Sequence, residues 1–261
     1  MPTFLSRLRR RKAPEPGPAA TVPEGQRVYA IGDIHGRSDL LDQLIARIDA
    51  DQRERGAIES TTIIFLGDLI DRGPDSRGVI ERAMALKASG TDVRFLMGNH
   101  EEVFLESFDG NEGVMRFFLR IGGEQTLNSY GIVGDEFRDA DFEQIIELAR
   151  ERVPAEHREF LSRFEDSIEI GDYLFVHAGI RPGVAFADQN TRDMRWIRGE
   201  FLGHQGTHGR VVVHGHTITE TVVERTNRIG IDTGAYDSDV LTALGLEGDE
   251  RWFLDTGEAV D

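Results

Sequence analysis

Gly67-Asp68-Leu69-Ile70-Asp71-Arg72-Gly73-Pro74 is the stretch that decides the fold of this chain. It follows Thr62-Ile63-Ile64-Phe65-Leu66, an apolar, β-branched run short enough to be one fully buried strand. Asp68 stands where such a strand would end. Asp71 and Arg72 come next on the loop, and Gly73-Pro74 turns the chain. Two carboxylates and a guanidinium on one tight loop make a poor core. They suit a metal and a phosphate.

The pattern recurs outward from this loop. Apolar runs at 28–31, 93–97, 173–176 and 210–213 lead into GDIHG (32–36), GNHE (98–101), HAG (177–179) and HGHT (214–217). Each run thus ends in Asp, Asn or His beside glycine. In open α/β sheets, ligands collect outside the carboxyl ends of the strands. After GDIHG, Ser38 is a candidate cap for a helix carrying Leu40, Leu41, Leu44, Ile45 and Ile48. After GDLIDRGP, Asp75 or Ser76 caps a second helix carrying Val79, Ile80, Ala83, Met84 and Leu86. This β-α-β-α-β order predicts neighbouring parallel strands with right-handed crossovers.

Composition sets the bounds. The chain has 261 residues, no cysteine and a formal net charge of −17. One large domain with a sizeable core is expected. Disulfides, thiolate ligands and a cysteine phosphoenzyme are excluded. The acidic balance argues against a nucleic-acid partner, which would need Lys and Arg against phosphates. No apolar run reaches membrane-spanning length. A cytoplasmic protein, most simply a monomer, is the expectation.

Residues 1–24 differ from the rest. Arg7, Arg9, Arg10, Arg11 and Lys12 precede Pro14, Pro16, Pro18 and Pro23, which reads as a flexible, basic, Pro-rich tail. Phe4 and Leu5 leave room in it for a small anchor. Residues 25–261 are expected to form one folded domain. A helical insert is expected at about 102–165, over the mouth of the site, with 122–131 as a loop. The runs 228–232, 240–246 and 251–254 read as strands of a second, more antiparallel sheet stacked on the first.

The strand-end set supplies Asp33, His35, Asp68, Asn99, His177 and His214. Carboxylate oxygen and imidazole nitrogen without thiolate suit Mn²⁺, Fe or Zn²⁺ better than a Ca²⁺ cage. Asp68, central in the order, is the candidate bridge between two divalent ions. Asp33 and His35 would complete one ion's set, and Asn99, His177 and His214 the other's. Two such ions roughly 3.5–4 Å apart clamp an in-line displacement.

GDIHG, GDLIDRGP, GNHE, HAG and HGHT, in this order, resemble the metallophosphoesterase superfamily, and within it the bacterial serine/threonine phosphoprotein phosphatase branch. The resemblance spans about residues 27–255. It implies an α/β fold of two stacked mixed β-sheets flanked by helices, the calcineurin-like sandwich, with a dinuclear metal centre at one edge. The family's ligands fall on the six residues just given. The resemblance also implies His100 as general acid, Asp71 as its orienting carboxylate and Arg72 as a phosphate-binding arginine, with Asn99 beside the phosphate. Trp196-Ile197-Arg198-Gly199 resembles the bacterial Trp-x-Arg segment, which makes Arg198 the second phosphate arginine and Arg195 its rival. His177-Ala178-Gly179 departs from the His-Gly-Gly of the eukaryotic protein phosphatases. Asp232-Thr233-Gly234-Ala235-Tyr236 stands where their substrate loop would be, and Tyr236 either lines the mouth or packs.

The expected function is a dimetal, Mn²⁺-dependent serine/threonine protein phosphatase acting on phosphorylated proteins or peptides. The alternatives are a hydrolase of diadenosine polyphosphates or other nucleotides, and a non-catalytic phosphoprotein-binding module. The nucleotide branch often resembles ARGP and GNHD where this chain has DRGP and GNHE, which favours the phosphatase. No ligand is missing, which disfavours the binding module.

Overall fold

The structure, a computed structural model, describes residues 20–257. The three apolar runs before GDIHG, GDLIDRGP and GNHE become β1 (Gln26–Ile31), β2 (Ser60–Phe65) and β3 (Asp92–Phe95), all parallel. Helices α1 (Ser38–Arg55) and α2 (Ser76–Ala88) cross between them. Helix α1 buries the stripe read from its sequence, Leu40, Leu41, Leu44, Ile45 and Ile48, and α2 buries Val79, Ile80, Ala83 and Leu86 while Met84 is only partly buried. Asp75 caps α2 by accepting the Gly78 N–H at 2.9 Å. Ser38 does not cap α1. It lies inside the first turn and donates its hydroxyl to Asp75 at 2.6 Å.

The remaining strands are β4 (Ser167–Ile170), β5 (Tyr173–Val176), β6 (Val211–His214), β7 (Val223–Glu224), β8 (Arg228–Gly230), β9 (Thr242–Glu247) and β10 (Glu250–Asp255). They complete two mixed five-stranded sheets, ordered β10-β9-β1-β2-β3 and β4-β5-β6-β8-β7. Alternation along each strand explains the layering. Val28, Ala30, Ile64 and Leu66 face the second sheet and meet Tyr173, Phe175, Val213 and Ile229. Tyr29, Ile31, Ile63 and Phe65 face the other way, onto α1, α2 and the insert. Leu174, Val176 and Val212 cover the outer face of the second sheet with Met194, Ile197 and Phe201. Those last three sit on or between α9 (Thr191–Trp196) and α10 (Gly199–Leu202).

Two expectations are corrected. The runs after HGHT do not build the second sheet together. Only β8 joins it, beside the short β7, whereas β9 pairs antiparallel with β1, Val28 opposite Leu246, and carries β10 outward. Leu244 and Leu246 extend the apolar face of β1 toward the second sheet. The period of a strand shows its two faces and not which edge it joins. The insert is helical as expected, with α3 (Asn99–Glu106), α4 (Glu112–Phe118), α5 (Glu124–Ser129), α6 (Gly134–Arg138), α7 (Phe142–Arg152) and α8 (Ala155–Ser162). Within it, 122–131 is not a loop. Gly122, at φ 115°, breaks a wide turn at Leu119–Gly123, and α5 follows. A helix burying only Thr126 and Leu127 has too little apolar period to be legible.

Arg7 to Lys12, Phe4 and Leu5 lie outside the described residues. Residues 20–24, counted with the tail in the sequence, are packed. Val22 is buried and donates its N–H to Gly248 O at 3.0 Å, and Thr21 N–H reaches Asp172 at 2.9 Å. No helix among the described residues is long and apolar enough to cross a membrane. A last helix, α11 (Ala235–Ser238), brings Tyr236 to the carboxyl edge of the sheets.

Candidate dimetal centre

Asp33, Asp68, Asn99, His177 and His216 all lie beyond the carboxyl ends of strands, where the ladder no longer fixes the backbone. The loops that carry them are strained. Among the described residues, six non-glycine residues have positive φ, and His35, Asp68, Asp71, Arg72 and His216 are five of them. Each such residue costs about 1–3 kcal/mol and persists only where its surroundings over-determine it. Glu101 supplies much of that constraint. Its carboxylate accepts the N–H groups of Asp68 at 2.9 Å, Leu69 at 2.7 Å and Gly98 at 3.1 Å, tying the β2 loop to the start of α3. Burial, then the charge of Asp68, pushes the Glu101 carboxyl up to about 7, against the pull of those donors.

The imidazoles are oriented by backbone carbonyls. His35 Nδ1–H donates to Ile70 O at 2.7 Å, and His177 Nδ1–H donates to Leu66 O at 2.7 Å. Each Nε2 lone pair therefore points inward, as a metal ligand's must. His177 Nε2 lies 3.0 Å from Asn99 Oδ1, 3.2 Å from His216 Nδ1 and 3.4 Å from Asp68 Oδ2. His35 Nε2 is 3.7 Å from the same Asp68 oxygen. Burial, then His100, holds His35 well below the ordinary histidine range, so it is neutral.

These acceptors fit two cations. Donor atoms of His35, Asp68 and His100 lie within 4.8 Å of one another, and so do those of Asp68, His177 and His216. Asp68 belongs to both groups. Asp33 Oδ2 accepts the His216 N–H at 2.9 Å, but its buried Oδ1 has no hydrogen-bond partner. An orphan carboxylate oxygen in the interior is costly unless a cation meets it. Gly215 permits this approach, since a Cβ there would sit 2.0 Å from Asp33 Oδ1. Burial, then Asp232 and Asp68, raises the Asp33 carboxyl well above its usual range. Positive charge at the site would relieve that repulsion.

One expected ligand is not in the group. His214 is the last residue of β6, paired with Gly230, and its ring lies edge-on to Phe201 at 5.1 Å. Its Nδ1 donates to Gly215 O at 3.0 Å, and its Nε2 faces Arg228 at 3.4 Å. Burial pushes its imidazole down to about 4. His216 stands in its place. The signal was legible: Asp33, Asp68 and Asn99 each follow a glycine directly, and so does His216. Replacing His216 with Ala is expected to lose one metal equivalent per folded chain. Its metal affinity should fall by more than the roughly 10–100-fold that losing an outer partner costs. His214→Ala should leave the stoichiometry unchanged. Elemental analysis with Mn²⁺ titration separates the two.

His100 and Asp71 form a buried pair, with Nδ1 to Oδ2 at 2.6 Å. Burial favours neutral His100, yet Asp68 and Asp71 outweigh it and raise its pKa. Arg72 Nη1 reaches His35 Nε2 at 3.0 Å, and Nη2 reaches His100 Nε2 at 3.1 Å. Its guanidinium also lies over the Tyr236 ring, 4.9 Å from the centroid, so Tyr236 lines the mouth. Arg195 is committed elsewhere, bridging Glu102 and Asp166. Arg198 is exposed and has no ion-pair partner among the described residues. Burial, then His177, holds the His216 imidazole low, and Arg198 adds to this. Glu101, Thr126 and Ser76 are each buried against the loop. The sequence offers Ser76 only as a helix cap and Glu101 only as part of GNHE, and Thr126 has no role in it.

With this fold and this site, the chain belongs to the calcineurin-like phosphoesterase family, whose model matches residues 26–233. It is 29% identical over 155 residues to the symmetrical bis(5'-nucleosyl)-tetraphosphatase of Delftia acidovorans, 59% of this chain and 45% of that protein. The chain thus matches less than half the length of that relative. It is 26% identical over 236 residues to the asymmetrical bis(5'-nucleosyl)-tetraphosphatase PrpE of Anoxybacillus flavithermus, 82% of this chain and 88% of that protein. A crystal structure of a candidate diadenosine tetraphosphatase superposes with a TM-score of 0.60 at 21% identity, covering 92% of this chain and all of the other. That likeness concerns the fold alone.

Proposed function

We propose that this metallophosphoesterase hydrolyses phosphoric anhydrides of the dinucleoside polyphosphate type, diadenosine tetraphosphate being the test substrate. The alignment with the asymmetrical tetraphosphatase, which spans most of both chains, carries this reading. The sequence preference for a protein phosphatase rested on Asp71 and Glu101. In the structure Glu101 braces two loops and so does not report on the substrate, while Asp71 orients His100.

Asp33, His35 and Asp68 would hold one divalent ion, and Asp68, Asn99, His177 and His216 the other, with Mn²⁺ the expected metal. When bound, the ions supply Lewis acidity and an activated water. The chain's own part is positioning and charge. Arg72 and Arg198 bind phosphate oxygens, Arg72 through a bidentate fork that leaves its histidine contacts to reach them. His100, freed at Nε2, carries the proton for the leaving oxygen while Asp71 holds Nδ1–H.

The test compares kcat/KM for diadenosine tetraphosphate and a phosphoserine peptide with Mn²⁺. A preference of about tenfold or more for the nucleotide is expected, and an equal preference for the peptide would overturn the reading. One observation favours that second reading, a serine/threonine protein phosphatase. A nucleotide leaves as a weakly basic phosphate, whereas a serine leaves as a basic alkoxide, and only the latter needs so firmly braced an acid.

A further inference from the structure

Asp71 is fully buried, and its environment is supplied by the insert as much as by its own loop. Its N–H donates to Ser76 Oγ at 3.0 Å and to Thr126 Oγ1 at 2.9 Å. The Thr126 hydroxyl in turn donates to Asp71 Oδ1 at 2.6 Å. Ser76 Oγ lies 2.8 Å from Thr126 Oγ1. Thr126 has one proton, and it goes to the carboxylate, so Ser76 must be the donor of the last bond. The proton order is fixed from Ser76 to Thr126 to Asp71 Oδ1. That leaves Asp71 Oδ2 for His100 alone.

The same segment holds the next residue. Arg72 N–H donates to Gly122 O at 3.0 Å. Gly122, at φ 115°, lies so close that a Cβ there would meet Arg72 Cγ at 2.7 Å. Asp71 and Arg72 are consecutive left-handed residues, at φ 72° and 65°. Their own loop therefore does not favour the conformation that aims Asp71 at His100.

We propose that Thr126, on α5 of the insert, is a positioning residue that fixes the Asp71 carboxylate so that His100 is held ready to protonate the leaving group. This rests on the hydrolase reading but not on which phosphoester or anhydride is the natural substrate. No bond to substrate is made by Thr126. Its hydroxyl sets the plane of the carboxylate, and the carboxylate sets the imidazole. Val has nearly the shape of Thr, so Thr126→Val removes the donor and leaves Asp71 Oδ1 buried and unpaired.

The experiment measures kcat for p-nitrophenyl phosphate, phenyl phosphate and a phosphoserine peptide, with Mn²⁺ content checked in every protein. An acid is worth roughly 10²–10⁴-fold where the leaving group is basic. Thr126→Val is therefore expected to lose about ten- to thirtyfold on phenyl phosphate and the peptide, and under about threefold on p-nitrophenyl phosphate. Thr126→Ser, which keeps the hydroxyl, should restore the shallow dependence on leaving-group basicity. Ser76→Ala removes the outer donor to Thr126 and one of the two acceptors of the Asp71 N–H, and leaves the Thr126 bond to the carboxylate, so it should steepen that dependence slightly. It carries the test alone if Thr126→Val does not fold. Equal losses on all three substrates, or no loss on any, would overturn the proposal. A preference for diadenosine tetraphosphate or for the peptide in the unmodified protein decides the other question and leaves this one untouched.

Discussion

Asp68→Asn is expected to abolish hydrolysis and to empty both metal positions at once. Asp68 is the one residue common to the two ligand groups. Asparagine tolerates left-handed backbone, so the φ of 50° at this position survives the change. Its side-chain oxygen can still accept the His100 N–H, which Asp68 Oδ1 accepts at 3.1 Å. The fold should therefore persist while the charge is lost. Metal-ion catalysis is worth several kcal/mol, and each 1.36 kcal/mol is tenfold, so a loss of roughly 10³-fold or more in kcat/KM is expected. Elemental analysis and the rise in Tm on adding Mn²⁺ measure occupancy separately. Two tightly held Mn²⁺ per chain in the variant would show that Asp68 does not bridge.

The second large effect concerns His100, and its size should depend on the leaving group. Replacing His100 with Asn is expected to cost roughly 10²–10⁴-fold on a phosphoserine peptide. On p-nitrophenyl phosphate and on diadenosine tetraphosphate the loss should be far smaller, because phenolate and nucleotide leave without help. Asp71→Asn should show the same bias more weakly. It disturbs the bond to Nδ1 at 2.6 Å without removing the acid. The two changes should not add in the double variant, since they act as one unit. Saturating Mn²⁺ and a metal count for all four proteins keep ligand loss out of the comparison. Equal losses across the three substrates would assign His100 to the metal group, where its Nε2 already lies 3.9 Å from Asp68.

The three parallel strands β1, β2 and β3, their two crossover helices and most of the candidate site could be read from the sequence. Each is a local pattern, either an apolar run ending in a polar residue beside glycine or a stripe at helical spacing. What escaped was long-range or conformational. His214 and His216 share one short motif, and only the end of β6 shows that His214 is still in the ladder. The joining of β9 to β1 depends on which edge is free. Glu101 looked like part of a substrate signature because its partners, backbone N–H groups at 68 and 69, carry no side-chain label. Thr126 lay in a stretch with almost no apolar period, yet it reaches across to Asp71. The comparisons support the wider family and favour the nucleotide branch over the phosphatase branch that DRGP and GNHE suggested.

The pairing of β1 with β9 bears on how the chain comes off the ribosome. One edge of β1 is bare until Thr242–Glu247 has been made. At roughly 5–20 residues per second, that wait is on the order of 10–40 s. β2, α1 and α2 can assemble on the other side meanwhile, because their contacts are nearer in sequence. The waiting edge exposes a row of unpaired amide and carbonyl groups beside Val28 and Ala30, a template for pairing with another nascent chain. Demand for a holding chaperone should therefore peak late in translation, and it should end when β9 closes the edge.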